Sequence, residues 1–262
     1  MKKFQARPLP HFLEGPARWM KTLNNHEDAK AAYATIRSSE LYDTKLNMYK
    51  TSVSLDEESM EIGRIRAFTP GWLERESIFL HMSYKYLLSL LSSGLNDEFF
   101  NEIQASLVPF LDPAVYGRST LENSSFIASS VNPDPKLHGR GFVARLSGST
   151  SEFISMWIMM MAGKHVFNMK DGKLELAFDP SLPGWMFNEQ GEIAFKFLGS
   201  TEVVYHNPAK KDTYGFNRAE VKSMSVLKKD GQTVEISAAA LTGELAEEVR
   251  NGLIQRIDIK LA

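Results

Sequence analysis

Along the first part of the chain, apolar residues recur at helical spacing; after Gly163 they alternate with polar ones. Over residues 26–38, Ala29, Ala32, Tyr33 and Ile36 fall on one face, which predicts an amphipathic helix. Residues 76–93 carry Ile78, Phe79, Leu80, Met82, Leu87, Leu88, Leu90 and Leu91 almost all the way round, the pattern of a helix buried on every side. Gly94 supplies a stop, and Asn96 a cap for a further helix over 97–107. Residues 149–162 are again apolar nearly all round, led in by Ser149-Thr150-Ser151-Glu152, which fits the S-x-x-E capping box. Two helices of this kind so close together predict concentric layers of helices rather than a small bundle. Residues 1–24 show no clean periodicity.

From Val166 onward, period-two segments lie between turn signals. Leu174-Glu175-Leu176-Ala177-Phe178 follows Asp171-Gly172, residues 193–197 and 202–205 come next, and Asp230-Gly231 joins 221–228 to 232–236. Asn251-Gly252 precedes a last strand over 254–259. Such dipeptides between alternating strands are strong hairpin signals. The pattern predicts a junction at Gly163–Lys164, with a helical region over 1–163 and an antiparallel β-sandwich over 164–262.

Composition narrows the function. The 262 residues are 43% hydrophobic and 24% charged, with a net charge of −2, a globular composition. That balance argues against a general nucleic-acid binder, which needs an excess of Lys and Arg on one face. No segment reaches the roughly 18 apolar residues of a membrane span. The basic N-terminal residues lack the apolar stretch of a signal peptide, so a cytoplasmic location is expected. Cysteine is absent, which excludes thiolate metal sites, and no His-x-x-x-His pair points to zinc.

Candidate chemistry lies in three places. The stretch 139–150, Gly-Arg-Gly-Phe-Val-Ala-Arg-Leu-Ser-Gly-Ser-Thr, runs straight into the apolar helix. Glycines admit a ligand to the backbone, and free N–H groups at a helix N-terminus attract anions; Arg140 and Arg145 add charge. The same stretch also reads as a loop that merely caps a core helix. His81, inside the apolar segment 76–93, is either a hydrogen-bonded core histidine or a donor facing a cavity. Glu74 and Glu76 stand at the head of that segment as dipole partners, beside Trp72, whose flat face suits a sugar ring or the core. Glu122 has no distinguishing context. Met156, Met159, Met160 and Met161 read as core filling.

Taken together these segments resemble the C-terminal portion of family 94 of the glycoside hydrolases, the cellobiose and chitobiose phosphorylase family. Pro70-Gly71-Trp72-Leu73-Glu74-Arg75-Glu76-Ser77-Ile78-Phe79-Leu80-His81 is similar to the family's P-G-I-x-E-N-x-x-Q-Y-x-H stretch, keeping the Pro, Gly, Glu and His in register. Glu122-Asn123-Ser124 is similar to its E-P-Y segment in the Glu alone. Residues 139–153 are similar to its G-R-G-G-x-x-x-x-T-G-S-A-x-W segment, with Ser147-Gly148-Ser149 at the T-G-S position. Arg75 and Ile78 replace the family's Asn and Gln, which implies a different sugar subsite. The branch it looks closest to is that of the β-1,2-oligoglucan phosphorylases.

The resemblance implies the C-terminal half of an (α/α)6 barrel followed by a β-sandwich. It implies phosphate binding by His81, Ser147 and Gly148, with Arg145 beside them, and substrate contacts from Glu74, Trp72 and Glu122. An inverting glycoside phosphorylase needs one carboxylic acid for the leaving oxygen; phosphate takes the place of the activated water. The expected substrates are a β-linked glucose oligosaccharide and inorganic phosphate, with no cofactor and no metal. The family's acid lies upstream of these motifs, so no catalytic residue is assigned in this chain. The chain alone is expected to be inactive and to need the missing N-terminal segment or a self-association partner. Two rival readings are a non-catalytic carbohydrate-binding or partner-assembly chain and an inverting hydrolase of the same barrel.

Overall fold

A computed structural model of the chain describes residues 6, 8–23, 25–143 and 148–262. The fold mixes α-helices with several small sheets, most of their pairings antiparallel. It divides into two compact units, residues 1–156 and 157–262.

The first unit begins with α1 (Glu14–Met20) and α2 (His26–Arg37). Asn25 caps α2, its side-chain oxygen accepting from Asp28 N–H at 2.7 Å, which satisfies one of the free donors of the first turn. A short hairpin follows, β1 (Tyr42–Asp43) against β2 (Met48–Tyr49). Then come β3 (Ile78–Phe79), α3 (Leu80–Ser92), α4 (Asn96–Ser106), α5 (Pro113–Tyr116), β4 (Phe126–Ile127), β5 (Gly141–Phe142) and α6 (Gly148–Ala162). The buried centre is α3: Leu80, Tyr84, Tyr86, Leu87 and Leu90 are fully enclosed, and α1 and α4 both pack against it.

Three expectations need correction here. The helix expected over 76–93 starts only at Leu80. Glu76 sits at a left-handed φ of 55°, which a continuous helix does not accept, and Ile78 and Phe79 pair as a strand with Ile127 and Phe126. Glu74 and Glu76 are therefore not first-turn residues. Asn96 is the first residue of α4 rather than its cap; the capping position belongs to Leu95, and the Asn96 amide donates to the Gly94 carbonyl at 3.3 Å. Helix α6 is not buried on every side. Met156, Met160, Met161 and Ala162 are enclosed, but Ile154, Trp157 and Ile158 are 51%, 40% and 50% exposed.

The second unit is β-rich, and the division between units falls inside α6, ahead of the expected junction at Gly163. Its strands are β6 (Phe167–Lys170), β7 (Lys173–Ala177), β8 (Glu192–Phe197), β9 (Thr201–His206), β10 (Val221–Lys228), β11 (Thr233–Ile236), β12 (Ala240–Thr242) and β13 (Ile254–Leu261), with α7 (Glu244–Arg250) before the last. They form a three-stranded sheet, β12-β7-β6, and a five-stranded sheet, β11-β10-β13-β9-β8. Asp171 and Gly172 turn β6 into β7 with φ of 51° and 73°, the left-handed pair that a tight hairpin requires. Alternation along β9 and β13 buries Val203, Tyr205, Ile257 and Ile259, and Tyr205 Oη donates to the Met161 carbonyl at 2.6 Å.

Two details depart from the all-antiparallel hairpin reading. β13 pairs with β9 in parallel, which the long excursion through β10–β12 and α7 permits. Asn251 and Gly252 close the C-terminus of α7 rather than join two strands. Among the described residues no helix is long and apolar enough to cross a membrane.

Candidate functional site

The small sheet β3-β4-β5 organises the chemistry of the first unit. Its register sets Phe79 opposite Phe126 and Phe126 opposite Phe142, so the three rings line one face. Phe79 and Phe126 stack with centroids 4.6 Å apart, and Phe126 and Phe142 at 5.5 Å. Trp72 extends the row at one end, lying flat on Phe142 at 3.6 Å with the planes 1° apart. His81 closes the other end, its ring edge-on to Phe79 at 5.9 Å. Trp72 thus has one face covered by Phe142, and the row connects it to His81.

His81 is the second residue of α3, and its side chain keeps 29% of its exposure. Opposite it stands the N-terminus of α6. A methyl group built on Gly148 would lie 2.6 Å from the His81 Cγ and 2.7 Å from Cε1, closer still to Nδ1. The backbone at Gly148 therefore lies directly against the imidazole, in a space only glycine leaves open. One turn further along α6, Glu152 places Oε1 3.5 Å from His81 Nε2; positions four apart share a helix face. The carboxylate holds the Nε2 side of the ring, and the Nδ1 side looks to Gly148.

This corrects the capping box expected at 149–152. Ser149 lies inside the helix rather than before it, and its buried hydroxyl has no hydrogen-bond partner among the described residues. Glu152 lies beside the histidine. Nothing local in the sequence signals this pairing, because a Glu three residues after a Ser at a helix start reads locally as a cap. Arg145 and Ser147 lie outside the described residues.

The other expected substrate contacts are engaged elsewhere. Glu74 pairs with Arg64 at 3.1 Å, and Glu122 with Arg118 at 3.5 Å. Among the described residues no hydrogen bond or ion pair joins either to His81 or Gly148. Arg75 ties down the turn before β3. Its guanidinium donates to the carbonyls of Arg66 and Phe68 at 2.9 and 3.1 Å, pairs with Asp56, and lies 3.6 Å from Glu76. Glu76 is 4% exposed. Burial raises its carboxyl above the usual carboxylate range, against the pull of Lys50 and Arg75. Among the described residues, no group of His, Asp and Glu side chains is arranged to hold a metal.

No known family model matches the chain, and no curated protein matches it.

Proposed function

We propose that this chain carries the phosphate-binding side of the active site of an inverting glycoside phosphorylase, one that cleaves β-linked glucose oligosaccharides. The observation that carries the reading is the packing of the Gly148 backbone against the His81 ring. A helix N-terminus presents unpaired N–H groups and a positive dipole end, and the imidazole adds a hydrogen-bonding edge beside it. Glu152 orients that ring from its far side. In this reading phosphate rests on the first turn of α6, touches the Nδ1 side of His81 and attacks the anomeric carbon from the face opposite the leaving oxygen. Phosphate is already nucleophilic at neutral pH, so the site's task is to hold it in line. The helices of the first unit would belong to an (α/α)6 barrel and the strands of the second to a β-sandwich. The proton for the leaving oxygen would come from a separate segment.

Phosphate binding is the direct test. Titration of the chain with inorganic phosphate, followed by calorimetry or phosphorus NMR, is expected to show one saturable site lost in His81→Ala. Glucose 1-phosphate release from β-linked glucose oligomers is expected only when the acid-bearing segment is added. A chain that binds no phosphate refutes the reading.

A further inference from the structure

A polar cleft lies elsewhere in the first unit. A cleft of about 410 Å³ is lined by residues of α2, the β1–β2 hairpin and α4, a size within the roughly 300–1,000 Å³ of small-molecule sites. At its base is Glu102 of α4, 4% exposed. Oε1 of Glu102 accepts from Tyr33 Oη at 2.7 Å and from Tyr49 Oη at 3.0 Å, and lies 3.3 Å from Arg37 Nε. All three contacts converge on one oxygen, although a carboxylate offers two. Arg37 lies over the Tyr42 ring, its Cζ 3.6 Å from the centroid, and its buried Nη1 has no hydrogen-bond partner among the described residues. Tyr42 in turn donates to the Asn47 side chain at 3.0 Å. Asn101 and Gln104, three apart on α4, add two exposed amides to the lining.

Arg37 and Glu102 are the cleft's charged lining residues, and their charges cancel. A net-neutral pocket does not favour a phosphate or a carboxylate. A wall of amides, phenol hydroxyls and an ion pair does not suit an apolar ligand, which would leave those groups unpaired. A hydroxyl donates and accepts at once, so one hydroxyl can give to the second Glu102 oxygen and a neighbouring one accept from Arg37. Adjacent hydroxyls on one rigid ring are the signature of a sugar. We propose that this cleft binds a neutral carbohydrate, a single sugar residue or the end of a short oligosaccharide, at a site separate from His81 and independent of its role.

The test uses cellobiose, sophorose and laminaribiose as probes, with saturation-transfer NMR or calorimetry on the native chain, on Asn101→Ala/Gln104→Ala and on His81→Ala. Both amides are exposed, so the double variant should keep its native circular dichroism and melting curve. The expected result is saturable binding of at least one disaccharide, weakened about fivefold or more by loss of the amides, since each hydrogen bond contributes on that scale. His81→Ala should leave it unchanged. The proposal is overturned if none of the three sugars binds, if the amide variant binds as the native chain does, or if inorganic phosphate displaces the sugar. Failure of phosphate to bind at His81 would leave this result standing.

Discussion

The contact between Gly148 and His81 yields a quantitative prediction. Gly148→Ala places a methyl carbon 2.6 Å from the His81 Cγ, whereas carbon atoms in contact sit about 3.5–4.0 Å apart. Roughly 1 Å must open, by rotation of the ring or displacement of the first turn of α6. Overpacking of this kind costs about 1–3 kcal/mol, and the helix preference of Ala over Gly offsets about 0.5–1 kcal/mol of it. The net loss is about 0–2.5 kcal/mol, a fall in Tm of up to about 10 °C for a chain of this size. Phosphate affinity should fall about tenfold or more, because a charge-assisted hydrogen bond contributes about 1.5–3 kcal/mol. A double-mutant cycle isolates the cause. In a His81→Ala background the obstructing ring is gone, and Gly148→Ala should become neutral or slightly stabilising. Thermal melts and phosphate titrations of the four proteins supply the numbers. If Gly148→Ala is as costly without the imidazole as with it, the steric reasoning fails; if affinity survives the methyl, phosphate does not sit on this turn.

Two further predictions concern pH. Glu76 has its folded-state pKa raised by burial, so its contribution is full below the ordinary carboxylate value and is lost as pH rises through the folded value. Glu76→Gln should therefore gain stability relative to the native chain as pH rises from about 4.5 toward neutrality, measured by urea unfolding across that range. Asp258 is the opposite case: hydrogen bonds from Arg256, and then from His206, lower its carboxyl below the usual range. Its contribution is present above the ordinary value and is lost as pH falls through the folded one. Asp258→Asn should destabilise at pH 7 by roughly 1 kcal/mol, and the difference should disappear at acid pH; a constant difference across the titration would refute it.

Local signals were strong where local physics decides. β10 occupies the same residues that its alternation picks out, and α2 differs from its expected range by one residue at its C-terminal end, because amphipathic spacing and an Asn cap act within a few positions. The two-residue strand β3 was illegible: Ile78 and Phe79 continue an apolar run, and only pairing with residues almost fifty positions away makes them a strand. The parallel register of β9 and β13 is set by the same kind of distant contact. At the site, the His81–Gly148 juxtaposition followed from the resemblance of two segments, while the part played by Glu152 required the helix to be placed. The cleft around Glu102 has no sequence signature, since Arg37, Tyr42, Tyr49 and Glu102 come from four elements and each is ordinary in its own context.

The position of β13 governs how the five-stranded sheet is assembled. It is synthesised after every other strand of that sheet, yet it lies in the middle, with β10 on one side and β9 on the other. Until it emerges, β8–β9 and β10–β11 are two separate hairpins, each with a bare edge, and isolated hairpins are marginally stable. Closure of the sheet therefore waits until β13 itself has been made. During that interval the nascent chain offers two open strand edges, the condition that favours chaperone capture and mispairing between neighbouring chains. Losing the eight residues of β13 would not trim a margin of the sheet but would split it in two.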